Sequence, residues 1–424
     1  FFSNLIKYSS SNDYNFSILN NNVNNVSTDA SPADNYKVFA NIKENLDFLK
    51  SKYNALICSD IIIREFNMFV YNENHKCFII YIDGLVDSLS INDFILEPLM
   101  LGKFRYNKPF DGALSDYIYN CLLPQNSVTS VKNYSDVFSG INMGDCLLFI
   151  DTLEIAFDID VKKYEHRNIS VPVNESAIKG PQEGFVENIR TNTSLIRRIV
   201  NNENLVIETI PIGKISKIKC SVCYLQNIAN GDLVSEIKYR LNNLAVDSLL
   251  STGELEQLIE DDGGFGIPHV LSTERPDKCA KYLFQGRIVL LLNGNPYSII
   301  LPATIEDFLF SPEDTNLRPL FANFLRVIRI LAAITTLLLP GLYMAITNFH
   351  QELLPTELLF SILSARENVP FPIILEIILL ELAFELIREA SLRVPSLIAS
   401  SIGIVGALIL GDAAVNAGIV SPIL

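Results

Sequence analysis

The chain has 424 residues, enough for about three domains at roughly 150 residues each. Its 33 basic and 48 acidic side chains leave a net charge of −15, which excludes an unassisted grip on nucleic acid, since that needs a basic face. A mean hydropathy of +0.26 with only 19% charged residues excludes a disordered chain and an ordinary soluble one.

Residues 1–35 hold nine Asn and seven Ser without an apolar core, and read as a disordered polar tail. From Tyr36 to about residue 175 the pattern is mixed α/β. Ile42, Leu46 and Leu49 have helical spacing and lead into Ala55-Leu56-Ile57-Cys58, which reads as a buried strand. A second helix-like stretch precedes the strand Cys77–Ile82, which stops at the turn pair Asp83-Gly84. Further strands are expected over Asp145–Asp151 and Leu153–Phe157.

A second α/β subdomain, 176–310, opens near Gly180-Pro181. It predicts a helix over Thr193–Val200, then strands over Leu205–Ile210 and Ile215–Leu225, joined by Pro211-Ile212-Gly213. Helices follow over Gly231–Ala245 and Glu274–Phe284, the latter with Ser272 as N-cap. Arg287–Leu292 and Tyr297–Leu301 flank Asn293-Gly294-Asn295-Pro296, a hairpin signal.

The last part, 311–424, changes character. Residues 321–424 carry five Arg, eight acids and no Lys. Ile330–Ile346 is 17 residues without a charge, and with Phe324–Arg329 it is long enough for a bilayer core of ~30 Å. Pro340-Gly341 should kink it. Spans are expected near 324–346, 371–387 and 396–424, although three buried helices of a soluble core would also account for the runs. Arg326 and Arg329 precede the first, and Arg388 and Arg393 separate the second from the third. The other loop holds Arg366 alone, so the positive-inside rule puts the N-terminal side in the cytoplasm. The whole is an α/β soluble N-terminal region of two subdomains followed by an α-helical transmembrane domain. The start at Phe1 and the end at Leu424 inside an apolar run lead to the expectation of a chain trimmed at both ends.

Chemical constellations are few. Gly213-Lys214 lacks the remainder of a phosphate loop, and neither Gly-x-Ser-x-Gly nor His-Glu-x-x-His occurs. His75, His166, His269 and His350 are far apart. The seven cysteines are scattered, which fits a reducing compartment. Cys220 and Cys223 have C-x-x-C spacing, but residues three apart in a strand face opposite ways, so core packing outweighs metal or redox chemistry. The run from Asp261 to Pro268 reads as a surface loop before a ligand cradle. No cofactor, metal or catalytic site is expected.

Glu376, Glu381, Glu385 and Glu389 stand in Ile- and Leu-rich sequence. On a helix Glu381, Glu385 and Glu389 fall within ~80° of one another and Glu376 lies nearly opposite. A carboxylate at membrane depth costs at least ~2.5 kcal/mol unless it meets water, protein or a counter-charge. The stripe therefore marks a wet cavity, pore or helix interface, or a helix in the headgroup zone neutralised by Arg388 and Arg393. Asp412 is a further candidate, on a segment whose Gly403, Gly406, Ala407 and Gly411 allow close packing.

Several long motifs resemble one family. Gly180-Pro181-Gln182-Glu183-Gly184-Phe185-Val186-Glu187-Asn188, with Arg190-Thr191-Asn192 and Leu195-Ile196-Arg197-Arg198, is similar to the A subunit of GerA-type spore germinant receptors. So are Phe349-His350-Gln351-Glu352-Leu353-Leu354-Pro355-Thr356, Val369-Pro370-Phe371-Pro372, Phe384–Ala390, Ile404–Leu408 and Ala417–Pro422. The resemblance covers about 180–424, with a weaker part back to Tyr36. Asn293 and Asp412 depart from the family pattern, which has Asp in the hairpin and an amide at the second position.

The resemblance implies a multi-pass protein of the spore inner membrane with its N-terminal region in the cytoplasm. It implies a transporter-like B subunit and a lipoprotein C subunit as partners, homo-oligomers of the A subunit in the lipid bilayer, and no nucleic acid. It also implies nutrient sensing coupled to ion release through a channel-forming oligomer. A secondary transporter component and a membrane-tethered enzyme or binding protein are the alternatives.

Overall fold

The computed structural model of the chain describes residues 36–70, 73–101, 113–163, 175, 180–260, 268–367, 369–392, 406 and 408–423. The tail at 1–35, the glycine-rich run at 261–267, Gly403 and Ala407 lie outside the described residues. The chain divides into two compact units between Ala322 and Asn323.

In the first unit, helix α1 (Ile42–Lys52) starts where the Asn41 side chain accepts from Lys43 N–H, and it ends with Lys50 and Lys52 in its last turn. Residues 53–59 form turns, not the expected strand: Leu56 is 95% exposed. Apolar composition misled there, because the chain only crosses to the next element. The stretch read as helix-like is strand β1 (Ile61–Val70), whose Phe66, Met68 and Val70 point inward at every second position. It pairs antiparallel with β2 (Glu73–Ile82) in the register Ile61↔Ile82 to Val70↔Glu73. Short helical turns occupy Ser88–Leu101 and Leu114–Leu122. Then come β3 (Val128–Val131), α2 (Tyr134–Met143), β4 (Cys146–Ile150) and β5 (Ala156–Ile159).

The second subdomain runs through α3 (Ile189–Val200), β6 (Leu205–Ile212), β7 (Ile218–Leu225), α4 (Gly231–Asn242), α5 (Thr252–Ile259) and β8 (Leu271–Thr273). It closes with α6 (Pro276–Leu283), β9 (Ile288–Leu292), β10 (Ser298–Leu301) and α7 (Ile305–Leu309). Ser272 is not the N-cap of α6. It lies in β8, Arg275 holds the cap position, and Pro276 supplies the preset first turn. The Asn293-Gly294 hairpin does join β9 to β10, with Ser298 opposite Leu291.

Both sheets are antiparallel, and their strand orders are the same permutation: β1-β2-β4-β5-β3 and β6-β7-β9-β10-β8. In each, a helix precedes the first strand and another separates the third from the fourth. The soluble unit is thus one topology built twice. A single apolar core takes Phe78, Ile80 and Phe149 from the first sheet and Val206, Cys220 and Leu290 from the second. The opposite faces hold separate cores, around Met68, Ile79 and Ile118 in one and Leu195, Cys223 and Leu283 in the other. Cys220 and Cys223 therefore serve opposite faces of β7, and burial pushes the Cys220 thiol up to about 12.

The second unit contains most of α8 (Pro319–Phe349), then α9 (Thr356–Arg366), α10 (Ile373–Leu392) and a helical run at 408–416. Helix α8 has 31 residues, includes Pro340, and alone among the described residues is both long and apolar enough to cross a bilayer. Helix α10 has the length, at 20 residues, but carries five charged side chains.

Candidate functional site

The motif from Gly180 to Arg198 folds into a clamp. Asn188 caps α3 by accepting from Arg190 N–H at 2.9 Å. One turn on, Asn192 is 1% exposed and faces the extended chain entering the helix. Its Oδ1 accepts from Val186 N–H at 2.8 Å and its Nδ2 donates to the Val186 carbonyl at 2.6 Å. The amide thus satisfies both backbone groups of a buried residue that no sheet reaches. Phe185 N–H donates to the Glu274 carbonyl at 2.8 Å, and Gly184, Phe185 and Val186 are buried. Arg275 Nη2 donates to the Pro181 carbonyl at 3.2 Å, Glu183 pairs with Arg198, and a Cβ on Gly180 would fall 2.7 Å from Asn316 Nδ2.

The first subdomain repeats the asparagine part of this clamp bond for bond. Asn41 caps α1, and Asn45 accepts from Phe39 N–H at 2.9 Å and donates to the Phe39 carbonyl at 2.7 Å. In the β4–β5 turn, Asp151 Oδ1 accepts from Ile42 N–H at 3.2 Å, as Asn293 Oδ1 in the β9–β10 turn does from Ile189 N–H at 3.3 Å. Thr152 N–H donates to the Ala40 carbonyl at 3.0 Å and Gly294 N–H to that of Glu187 at 2.7 Å. Thr152 and Gly294 share a positive φ, +77° and +87°. The oxygen is what the site uses, so Asn293 in place of Asp keeps the bond.

What distinguishes the second copy is its outward reach. Arg197 is completely buried and spans to the first subdomain, donating from Nε and Nη2 to the two oxygens of Asp60 at 3.0 Å each. Its Nη1 donates to the Leu205 carbonyl at 2.9 Å. Burial opposes the guanidinium charge, but the Asp60 carboxylate outweighs it and holds the Arg197 pKa up. Arg190 pairs with Asp83 in the turn after β2. Gly84 follows, with φ +93° and a would-be Cβ 3.3 Å from Ser194 Cβ, so only glycine lets the turn lie against α3. Ser59 N–H adds a backbone bond to the Ile207 carbonyl at 3.0 Å. Arg190 and Arg197 of the motif therefore join the two subdomains, through Asp83 and Asp60. Sequence marked Asp83 only as half of a turn pair and did not single out Asp60, nor Arg275, which braces the motif from within the second subdomain.

In the second unit, Glu376 is buried in the first turn of α10. It accepts from Arg366 Nη2 at 3.3 Å and from Ser421 N–H at 2.9 Å. Glu381, Glu385 and Glu389 are exposed on the same helix, Glu385 beside Arg388, and Asp412 is exposed on the 408–416 run. The prolines set helix starts: Pro355 precedes α9, and Pro372, two residues after Pro370, accepts from Leu375 and Glu376 N–H. His350 follows the end of α8 and accepts from Leu353 N–H at 3.1 Å. Among the described residues no cluster of three or more His, Cys, Asp or Glu could hold a metal ion.

Spore germination protein KA of Bacillus subtilis is 38% identical over 86% of this chain and 66% of its own length. Spore germination protein B1 of the same organism is 35% identical over 92% and 78%, and spore germination protein GerLA of Bacillus cereus 34% over 86% and 73%. The chain thus spans about two thirds to three quarters of these relatives. A crystal structure of the N-terminal domain of the A subunit of the Bacillus megaterium spore germinant receptor GerK3 is 31% identical, with a TM-score of 0.46 over 64% of this chain and 98% of that one. The family model described as Bacillus/Clostridium GerA spore germination protein matches residues 47–424, so the chain belongs to the GerA spore germination protein family.

Proposed function

We propose that this chain is the membrane-bound A subunit of a spore nutrient germinant receptor, and that it converts nutrient sensing into ion release as a channel-forming oligomer. The family match over residues 47–424 carries the receptor role. In this reading residues 36–310 face the cytoplasm beneath the spore inner membrane. A transporter-like B subunit and a lipoprotein C subunit complete the receptor. Three exposed carboxylates on one face of α10, Glu381, Glu385 and Glu389, support conduction. Repeated around an oligomer axis they would form a ring that concentrates cations. Glu376 has a different part, since Arg366 and the Ser421 N–H already neutralise and bind it.

The test compares spores carrying Glu381→Gln, Glu385→Gln or Glu376→Gln. Receptor abundance and cation release on nutrient addition are measured together. The first two variants should keep abundance and lose release, whereas Glu376→Gln should lower abundance. Normal abundance with normal release in the first two would remove α10 from the conduction path.

A further inference from the structure

We propose that the segment from Ile305 to Phe324 lies on the membrane surface, with its apolar side chains in the lipid headgroup zone; this rests on the membrane reading above. Helix α7 has its polarity inverted. Asp307 is 6% exposed, while Ile305 is 73% and Phe308 44% exposed. At 100° per residue Ile305 and Phe308 lie about 60° apart, and Asp307 is roughly 100° or more from both. The acid therefore points into the protein and the apolar pair out of it.

The orientation is fixed. Asp307 accepts from Arg287 Nη1 at 2.6 Å and Nη2 at 3.2 Å, from Tyr282 OH at 3.1 Å, and from Thr304 N–H at 2.7 Å. The next turn repeats the device: Ser311 and Asp314 form a second capping box, and Asp314 is 3% exposed. Two of the four acids at 306–314, Asp307 and Asp314, are drawn inward, Glu306 stays exposed, and Ile305 and Phe308 remain outside. Leu320, Phe321 and Phe324, in the first turns of α8, continue the exposed apolar series.

An exposed apolar series needs an apolar partner. The bilayer fits because of where the series lies in the chain. Helix α8, the candidate span, begins ten residues after Leu309, so the whole series back to Ile305 is tethered within about 40 Å of its start. Phe and Leu side chains beside a span, with Arg318 between Phe310 and Phe321 and with Arg326 and Arg329 just past Phe324, match the apolar face of an interfacial segment flanked by basic groups.

The experiment uses the full chain reconstituted in phosphatidylglycerol–phosphatidylethanolamine vesicles. Cys121, half-buried where the other six cysteines are buried, is replaced by Ser. A polarity-sensitive fluorophore is placed through Ile305→Cys, Phe308→Cys, Leu337→Cys within α8, or Tyr239→Cys on α4. Doxyl-labelled lipid should quench positions 305 and 308 at least twofold, position 337 strongly and position 239 not at all. Quenching at 337 with none at 305 and 308 overturns the proposal and leaves the span intact. Blue-shifted but unquenched emission at 305 and 308 also overturns it, in favour of a protein partner. No quenching at 337 removes the membrane reading and this inference together.

Discussion

Removing Asp60 should cost more than removing any surface charge of the soluble unit. Arg197 is 0% exposed, and Asp60 supplies its counter-charge through two hydrogen bonds of 3.0 Å. The bond from Nη1 to the Leu205 carbonyl survives the change but leaves the charge uncompensated. Breaking a buried pair by deleting one partner costs about 3–5 kcal/mol. At roughly 2–4 °C per kcal/mol for a protein of this size, Asp60→Ala should lower the melting temperature of residues 36–322 by about 6–20 °C. The double variant Asp60→Leu with Arg197→Met should recover most of that, because well-packed apolar groups replace a buried pair at little net cost. Melting followed by circular dichroism, with urea unfolding beside it, measures both. A loss below about 1 kcal/mol in Asp60→Ala would refute the reasoning, since Arg197 would then have another counter-charge.

Asn192→Ala leaves Val186 N–H and C=O buried without partners and should cost about 2–4 kcal/mol in urea unfolding; Asn45→Ala should cost a similar amount by a different division, since the half-buried Phe39 loses the same two bonds and the buried Tyr134 hydroxyl, which donates to Asn45 Oδ1 at 2.6 Å, loses its acceptor. Burial, with Asp145 close by, pushes the Asp158 carboxyl up to about 6. The native state therefore holds a proton that the unfolded chain has released, and the unit loses stability as pH rises from about 4 to about 6. Asp158→Asn should flatten this slope and stabilise the unit at pH 7 by roughly 1 kcal/mol, allowing for solvent screening. An unchanged slope between pH 4.5 and 7.5, read from urea midpoints, would count against that assignment.

Local signals were legible where turn chemistry and periodicity agreed. Asn293-Gly294 fixed a hairpin, and the apolar run before Asp83-Gly84 fixed a strand. The opposition of Glu376 to the other three carboxylates followed from helical geometry alone, and the structure buries the first while exposing the rest. Ala55–Cys58 failed because four apolar residues in a crossing turn look like four in a strand. Partners distant in sequence were not legible: Asp60 is 137 residues from Arg197, and Ser421 is 45 from Glu376. The duplication was hidden for a related reason. Its residue trace is Asn-Ile-basic-x-Asn at 41–45 and 188–192, too short to stand out before the folded clamps are compared.

The strand order also sets a schedule for synthesis. In each sheet the third strand pairs only with the fifth, so β3 waits for Ile159 and β8 waits for Leu301 before finding a neighbour. The first sheet can close long before any apolar helix leaves the ribosome. The second cannot, since α8 starts 18 residues beyond Leu301 and ends 48 beyond it. At about 5–20 residues per second, roughly 2–10 s separate the last strand from the end of the first candidate span. Final closure of the two-sheet unit and emergence of α8 therefore fall in the same few seconds. A lesion that slows β10, such as a cavity at Ile299 or Ile300, would leave the second sheet open while the 31-residue apolar helix is already exposed, so its cost would be read as aggregation during synthesis as well as lost stability.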